Sequence, residues 1–194
     1  NLSPRICGLY ALTPDEADTA RLLRQVAAAL DGGVRWLQYR NKSADAALRL
    51  RQARELQALC EMVGAQLIVN DFPELAAQVG AAGVHVGKED GALALARATV
   101  GERVIGASCY NELPRALAAQ TAGANYVAFG SFFSSGTKPN AVRASLELLR
   151  SARTQLQVPI VAIGGITLDN APSVIAAGAD AVAVSAALFN AADV

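Results

Sequence analysis

Three polar side chains at alternate positions, Gln38, Arg40 and Lys42, occur at the end of an apolar segment that begins at Trp36. Alternate residues of an extended chain lie on the same side, so these side chains are predicted to leave the strand end together. A guanidinium fork beside an ammonium group suits a doubly charged anion such as a diphosphate. The alternative is a pair of surface cations bonded to acidic residues of the following helix. The motif by itself leaves both interpretations open.

Two carboxylates, Asp71 and Asp90, follow the next two apolar segments of the chain. Carboxylates without a cluster of histidines or thiolates suit Mg²⁺, a hard cation that keeps several waters and bridges to substrate phosphates. The alternative role is helix N-capping, which is frequent for an aspartate that follows a strand. We therefore predict a Mg²⁺ site, with capping as the competing interpretation.

Polar or small residues also follow the other apolar segments, and they include Asn70, Ser108, Ser135, Thr137, Lys138 and Ser185. The loop from Ser134 to Lys138, which contains Gly136, is short and rich in hydroxyl groups. Gly164-Gly165 opens another loop, and together with the chain after Ser185 it is typical of a pocket whose backbone N–H groups bind phosphate. Loops are polar in any protein, so a single residue of this set could be merely solvated. Polar groups after seven segments at once favour a shared site.

Two other reactive side chains are predicted to be structural. His85 is the only histidine and lies within a Val-His-Val segment, which favours a packed or hydrogen-bonded residue over a general base. Cys109 lies near the predicted site, but no second histidine is available to activate it as a nucleophile. The chemistry is therefore expected to depend on cations, carboxylates and backbone amides.

Eight short apolar segments that could hold these groups recur along the chain, separated by amphipathic intervals of helical size. They are Gly8 to Leu12, Trp36 to Arg40, Gln66 to Asn70, Val84 to Gly87, Val104 to Ser108, Tyr126 to Ser131, Ile160 to Gly164 and Ala181 to Ser185. Strands that alternate with helices predict a parallel α/β sheet with right-handed crossovers. The first and last segments are as apolar as the central ones, which favours a closed (β/α)8 TIM barrel over an open sheet with exposed edges. No linker divides the chain, so residues 1–194 are predicted to form one domain.

The length of 194 residues is short for such a barrel, for which roughly 250 is typical. A compact barrel with minimal loops is therefore expected, and its eighth helix must be either short or truncated. Thr13-Pro14-Asp15-Glu16 has the pattern of a helix N-cap followed by a first-turn proline, which predicts that the first helix begins there.

Charge and composition exclude some classes of partner. There are 17 Lys+Arg and 17 Asp+Glu residues, and this zero net charge disfavours binding to a nucleic acid or to an anionic membrane surface. The 53% hydrophobic content belongs to a folded core, and no apolar stretch approaches the roughly 20 residues of a membrane-spanning helix. The chain opens without a secretory signal pattern. Its three cysteines are odd in number and widely spaced, which fits a reducing, cytoplasmic location.

Several sequence phrases carry a family resemblance. They are Gln38-Tyr39-Arg40-Asn41-Lys42, Ile68-Val69-Asn70-Asp71, Gly83-Val84-His85-Val86-Gly87-Lys88-Glu89-Asp90, Phe129-Gly130 with Thr137-Lys138-Pro139, and Val161-Ala162-Ile163-Gly164-Gly165-Ile166-Thr167. In this order, over nearly the whole chain, the set resembles the thiamine-phosphate synthase family. Each phrase alone is weak, whereas the ordered set is specific.

The resemblance implies a transferase in thiamine biosynthesis. Family members join 4-amino-2-methyl-5-hydroxymethylpyrimidine diphosphate to thiazole ethyl phosphate, with release of pyrophosphate. By motif, the pyrimidine diphosphate would contact Gln38, Arg40, Lys42, Asn70, Ser108 and Lys138. Mg²⁺ would be bound by Asp71 and Asp90. The thiazole phosphate would contact Ser135, Gly136, Thr137, Gly165, Ser185 and Ala186. The catalytic task would be to stabilise the departing diphosphate, with Arg40, Lys42 and Lys138 beside Mg²⁺.

The sequence departs from the family pattern at three places. The loop that usually reads Pro-Thr-x-Thr-Lys is Ser134 to Lys138 here, the serine usually found one position later than Ser185 is Ala186, and Tyr110 stands where the family often has histidine. Tyr110 argues against the related thiazole tautomerases, which use a histidine after the fifth strand. A barrel that binds thiazole or thiamine phosphates without catalysis is a further alternative. The sequence leaves a homo-oligomer, the kinetic order and a carboxylated thiazole substrate open.

Overall fold

The computed structural model describes residues 4–89, 91–134 and 142–194. Within these residues the chain alternates eight strands with eight helices. The strands are β1 (Gly8–Leu12), β2 (Trp36–Tyr39), β3 (Gln66–Asn70), β4 (Gly83–Val86), β5 (Val104–Tyr110), β6 (Tyr126–Phe129), β7 (Ile160–Ile163) and β8 (Ala181–Val184). The helices are α1 (Thr19–Asp31), α2 (Ala46–Val63), α3 (Pro73–Val79), α4 (Ala92–Val100), α5 (Leu113–Thr121), α6 (Leu146–Gln155), α7 (Ala171–Ala176) and α8 (Ala186–Phe189).

The strands form a closed parallel barrel in chain order, β1 to β8. Closure is made by β1 and β8, with Gly8 opposite Ala181 and Tyr10 opposite Ala183. Because each strand has a neighbour on both sides, no strand edge is left unpaired. The prediction of a closed (β/α)8 barrel rather than an open sheet is confirmed.

The predicted strands agree with the observed ones to within two residues at each end. The largest differences are that β5 continues to Tyr110, with an irregular register between Ser108 and Tyr110, and that β6 ends at Phe129. Helix α8 has only four residues, which agrees with the expectation of a short or truncated eighth helix.

Two layers of apolar side chains surround the sheet. The barrel interior contains Tyr10, Trp36, Ile68, Tyr126 and Val161, which are at most 5% exposed. The space between the strands and the helices holds a second, larger cluster, with Leu22, Leu37, Leu56, Ile105 and Leu149 at its centre. Neighbouring residues of a strand therefore serve opposite layers, as the two-residue period of a strand requires.

Helix α1 begins later than predicted. Asp18 is its N-cap and accepts a hydrogen bond from the N–H of Arg21 at 3.1 Å. The side chain of Thr13 instead accepts from the N–H of Arg40 at 3.0 Å and donates to the carbonyl of Arg40 at 3.2 Å. The prediction that Thr13 caps this helix is wrong, because the hydroxyl is already bonded to the backbone of the neighbouring loop.

The described part of the chain contains no helix with both the length and the apolarity needed to cross a membrane. Its three cysteines are unpaired, with Cys7 exposed and both Cys60 and Cys109 buried.

Candidate active site

The strands of a parallel barrel all end on one face, and active sites of this architecture lie on that face. The described residues predicted to form the site lie at these strand ends, and they are Gln38, Arg40, Lys42, Asn70, Asp71, Ser108, Gly165, Ser185 and Ala186. Five further predicted residues lie outside the described residues, and they are Asp90, Ser135, Gly136, Thr137 and Lys138.

The loop after β2 is tied to the loop after β1. Asp15 Oδ1 accepts a hydrogen bond from the N–H of Lys42 at 2.9 Å and lies 3.8 Å from Arg40 Nη1. Asp15, the acid that pairs with Arg40, therefore precedes α1, whereas the sequence alternative placed such an acid on the helix after Lys42, which is α2. Because β2 ends at Tyr39, the alternation that predicted a common side for Gln38, Arg40 and Lys42 holds only as far as Tyr39.

A buried amide network beneath this loop holds its backbone in place. Asn41 donates to the carbonyl of Glu16 at 2.8 Å and to Gln52 Oε1 at 3.0 Å. Gln52 also accepts from the Tyr39 hydroxyl at 2.7 Å and donates to the Glu16 carbonyl at 2.8 Å. The sequence patterns did not single out Gln52, which is fully buried on α2. Its neighbour in the network, Asn41, lies between the two cations, so the network fixes the segment that carries them.

The loop after β3 has a strained backbone at the predicted metal ligand. Asp71 has φ 63°, in the left-handed region that a residue other than glycine rarely adopts. Its N–H donates to the carbonyl of His85 at 2.9 Å, and its Oδ2 accepts from Asn70 Nδ2 at 2.9 Å. Phe72 is the N-cap of α3, without a side-chain capping bond. The alternative interpretation of Asp71 as a helix cap is thereby excluded, and its strained conformation is of the kind that is concentrated at functional sites.

A cavity of about 230 Å³ lies between the ends of β2 and β3. It is lined by Tyr39, Asn41, Lys42, Arg49, Val69, Asn70, Asp71 and Phe72. Arg49 and Phe72 were not indicated by the sequence patterns. The Arg49 guanidinium carbon lies 4.0 Å from the centre of the Phe72 ring, and its Nη2 donates to the carbonyl of Ala44 at 2.7 Å. Arg49 thus adds a second cation to a cavity that already contains Lys42.

Polar side chains cross the interior of the barrel. Gln38 Nε2 donates to the Tyr10 hydroxyl at 2.9 Å, and the hydroxyls of Tyr10 and Tyr126 are 2.8 Å apart. His85 Nδ1 lies 2.9 Å from the Tyr126 hydroxyl, and His85 Nε2 lies 2.8 Å from Ser108 Oγ. Burial lowers the pKa of His85 to about 4, so the ring is neutral near pH 7. The prediction of a hydrogen-bonded barrel histidine is confirmed.

The glycine pair after β7 allows two loops to approach closely. Gly164 has φ 105° and Gly165 has φ 61°. A Cβ atom on Gly164 would overlap the side chain of Ser131, and one on Gly165 would lie 2.7 Å from the carbonyl oxygen of Ser134. Asn170 Nδ2 holds the carbonyl of Gly165 at 2.9 Å. Only glycine combines these dihedral angles with this proximity, so the turn is built for backbone contact with a neighbour or ligand.

The described residues provide part of a set of oxygen ligands that suits Mg²⁺. Asp71 supplies a carboxylate whose Oδ2 accepts a hydrogen bond from Asn70 and is oriented by it. Its other oxygen, Oδ1, lies near Gly87, where an added Cβ atom would come within 3.8 Å of it. Mg²⁺ typically uses one or two protein carboxylates and takes its other ligands from water and phosphate. Within the described ranges, no three His, Cys, Asp or Glu side chains cluster as a metal site. The oriented carboxylate of Asp71 is a ligand of the kind that suits Mg²⁺.

Cys109 shows no sign of activation. It is fully buried, and burial raises the pKa of its thiol to about 12, so the thiolate is scarcely populated at neutral pH. The prediction that it is not a nucleophile agrees with this environment.

Comparison with known proteins gives a consistent result. The family model described as thiamine monophosphate synthase matches residues 9–188. A thiamine-phosphate synthase of Aromatoleum aromaticum is 56% identical over 190 residues, covering 97% of this chain and 91% of that protein. One of Methylococcus capsulatus is 55% identical over 188 residues, covering 96% of this chain and 84% of that protein.

A solved structure has the same architecture. It is a thiamine phosphate pyrophosphorylase from Pyrococcus furiosus, with a TM-score of 0.86 and 34% sequence identity. The match covers 96% of this chain and 89% of that chain.

Proposed function

Because this chain belongs to the thiamine monophosphate synthase family, we propose that it joins 4-amino-2-methyl-5-hydroxymethylpyrimidine diphosphate to thiazole ethyl phosphate and releases pyrophosphate. The observation that carries the proposal is the cavity between β2 and β3, where Lys42 and Arg49 face Asn70 and Asp71. Cations beside a carboxylate at a barrel's strand ends suit a diphosphate bound together with a divalent ion.

The reaction requires little proton transfer. The carbon–oxygen bond to the diphosphate breaks, and its electron pair leaves with the diphosphate oxygen. The resulting methylene cation is conjugated with the electron-rich aminopyrimidine, and the lone pair of the thiazole nitrogen then forms the new carbon–nitrogen bond. No general base is needed, which agrees with the buried, neutral state of His85.

Arg40 and Lys42 have the central role on the leaving group. Their positive charges would stabilise the negative charge that develops on the diphosphate, and Lys138 would add to them. The clamp by Asp15 and Thr13 holds the loop that carries both cations before substrate arrives, so less ordering remains to be done on binding. Gln38, Asn70 and Ser108 would orient the pyrimidine.

A divalent ion would be held by Asp71 together with Asp90. When bound, Mg²⁺ would neutralise part of the diphosphate charge. Asn70 holds one oxygen of Asp71 and thereby orients the carboxylate.

The thiazole phosphate would lie on the opposite part of the same face. Gly165, Ser185 and Ala186 follow the neighbouring strands β7 and β8, which pair in parallel. Their backbone N–H groups would bind the phosphate, together with the predicted loop residues Ser135, Gly136 and Thr137. A cytoplasmic location is part of the proposal, and the unpaired cysteines support it because a reducing compartment keeps thiols free.

The test is an assay for pyrophosphate release with both substrates and Mg²⁺. Release is expected only when all three are present, and product analysis should show thiamine phosphate in equal amount. A folded protein that binds the substrates without releasing pyrophosphate would contradict the proposal and favour the non-catalytic alternative. Isomerisation of a thiazole phosphate without pyrophosphate release would instead favour the tautomerase alternative.

A further inference from the structure

Three buried side chains join two predicted substrate-binding residues through the barrel interior. In order the chain is Gln38, Tyr10, Tyr126, His85 and Ser108, and we refer to it as the interior chain. Its four links measure 2.9, 2.8, 2.9 and 2.8 Å between donor and acceptor atoms. The residues come from β2, β1, β6, β4 and β5. The chain therefore runs between strands on different sides of the barrel.

The direction of every hydrogen bond in the interior chain follows from the first bond, in which the Gln38 amide is the donor. Gln38 Nε2 donates to the Tyr10 oxygen, so the hydroxyl hydrogen of Tyr10 needs another acceptor. Among the described residues, the only other partner of this hydroxyl is Tyr126. Tyr10 therefore donates to Tyr126, because the reverse arrangement would leave a buried hydroxyl hydrogen unbonded, which is unfavourable.

The same reasoning continues to the other end. Tyr126 accepts from Tyr10 and so donates to His85 Nδ1. A neutral histidine whose Nδ1 is an acceptor carries its proton on Nε2, and His85 thus donates to Ser108 Oγ. Because Ser108 Oγ accepts from His85, its hydroxyl hydrogen can be donated to a ligand.

Packing holds the three middle residues of the interior chain, Tyr10, Tyr126 and His85, in one arrangement. Tyr10 and Tyr126 are at most 1% exposed, and their rings meet edge to face at 5.9 Å between centroids. The ring of His85 stacks on that of Tyr126 at 5.6 Å. A Cβ atom on Gly106 would overlap the Tyr126 ring, so the absence of a side chain there makes room for it. Burial also raises the pKa of Tyr10 and Tyr126, which keeps both hydroxyls protonated.

We infer that Tyr10, Tyr126 and His85 are positioning residues that set the hydrogen-bonding polarity of the substrate site. They hold Gln38 by its amide N–H, which leaves its Oε1 as an acceptor, and they leave the Ser108 hydroxyl as a donor. The site thereby selects a ligand with an amino group at one position and a ring nitrogen or phosphate oxygen at another. An aminopyrimidine diphosphate has both, so the inference rests on the proposed function and adds three residues to it.

The first test needs no substrate. His85 is the only histidine of the chain, so ¹⁵N-histidine labelling of protein without a histidine tag gives one imidazole. At neutral pH, Nδ1 is expected to have the shift of an unprotonated nitrogen and Nε2 that of a protonated one. A proton on Nδ1 in the wild-type protein would overturn the inference.

Tyr126→Phe removes the donor to Nδ1 and is expected to change the tautomer ratio. Tyr39→Phe is the matched control, because it also removes a buried, hydrogen-bonded tyrosine hydroxyl but lies outside the interior chain. It is expected to leave the tautomer unchanged. If Tyr126→Phe does not fold, Tyr10→Phe removes the preceding link and serves the same purpose.

The second test measures kinetics. Tyr126→Phe is expected to lower kcat/KM about tenfold through a higher KM for the pyrimidine diphosphate, which corresponds to about 1.4 kcal/mol and lies within the range for one hydrogen bond. Combined with Ser108→Ala, the loss should be smaller than the product of the two separate losses. An unchanged KM, or fully multiplicative losses, would show a merely structural role. Failure of wild-type pyrophosphate release would contradict the proposed function, while the tautomer would still decide the orientation of the interior chain.

Discussion

At the scale of single residues, one residue must satisfy both the conformation or burial of its position and the chemistry of the site. Asp71 must tolerate φ 63° and must also present a carboxylate. Asparagine and aspartate adopt the left-handed conformation more readily than other residues with a side chain, so an aspartate at position 71 meets the backbone demand as well as the chemical one. His85 must remain neutral for its Nδ1 to accept a hydrogen bond from Tyr126, and burial favours the neutral form by lowering its pKa.

The two demands on Asp71 can be separated by substitution. Asp71→Asn keeps the left-handed tolerance and removes the charge, so the protein should unfold at nearly the wild-type temperature. Pyrophosphate release should fall about 100-fold, equal to about 2.7 kcal/mol of lost charge stabilisation. Asp71→Ala should show the same loss of activity and in addition lose about 1 kcal/mol of stability through backbone strain. Full turnover by Asp71→Asn would contradict the metal assignment.

The buried histidine predicts how stability depends on pH. The unfolded chain binds a proton at His85 with a pKa of about 6.5, while the folded protein does so only near 4. Between these values the unfolded state holds more protons, so the free energy of unfolding decreases as the pH falls from about 6.5 toward 4. The contribution of His85 at pH 5 should be about 2 kcal/mol smaller than at pH 7.

Urea unfolding at both pH values measures this difference. His85→Gln, which has no titrating group at this position, corrects for the carboxylates that titrate in the same range. If wild type and His85→Gln lost equal stability between pH 7 and pH 5, the histidine would not be the cause.

At the scale of elements, the loops after β1 and β2 form one unit. Thr13 and Asp15 of the first loop bond the backbone of Arg40 and Lys42 in the second. The local pattern Thr-Pro-Asp-Glu matches a helix cap, which is why the sequence predicted one. The contact that overrides it joins residues 27 positions apart and depends on the parallel pairing of β1 with β2. Local patterns cannot contain such a contact.

Thr13→Val and Asp18→Ala distinguish the loop contact from the helix cap. Thr13→Val keeps the shape of the side chain and removes both hydrogen bonds to Arg40, so KM for the pyrimidine diphosphate should rise about tenfold. Asp18→Ala removes the observed cap of α1 and should cost about 1 kcal/mol of stability with KM unchanged. Substrate titrations and thermal unfolding of both variants check this. A KM effect of Asp18→Ala equal to that of Thr13→Val would contradict the separation.

At the scale of the whole molecule, the barrel separates stability from chemistry along its axis. The predicted site residues lie at the carboxyl ends of the strands. Ile6 precedes β1 at the opposite end, where it is 2% exposed and packs in the interior cluster. Its neighbour Arg5 donates to the carbonyl of Gln157, which precedes β7 at that same end. Side chains at this end are expected to contribute to folding only.

Ile6→Ala tests this separation. Removal of a buried isoleucine side chain should lower the free energy of unfolding by about 3 kcal/mol. The kcat measured well below the unfolding temperature should stay within about twofold of wild type, because the substituted residue lies at the end opposite the site. Chemical denaturation and steady-state kinetics provide the two numbers. A large decrease in kcat at full folding would show that the two ends are coupled.

Much of the architecture could be predicted from the sequence because it depends on local periodicity. Eight short apolar segments separated by amphipathic intervals predicted eight strands, and the apolar first and last segments predicted a closed barrel. The polar residues that follow those segments predicted which face carries the site. The pattern Gln38-x-Arg40-x-Lys42 and the carboxylate at Asp71 predicted a diphosphate and Mg²⁺ as ligands, with a surface ion pair and helix capping as the alternatives. These signals can be recognised in a single sequence because each involves residues that are close together along the chain.

Only the tertiary structure decided which of these residues meet. Arg49 joins Lys42 in one cavity because α2 packs beside the end of β3, and Asp15 reaches Lys42 because β1 and β2 are neighbours. Gln38 and Ser108 are linked through Tyr10, Tyr126 and His85 although they are 70 positions apart in sequence. The physical reason is that periodicity determines which side of a strand a residue occupies, whereas barrel closure determines what lies across the interior from it.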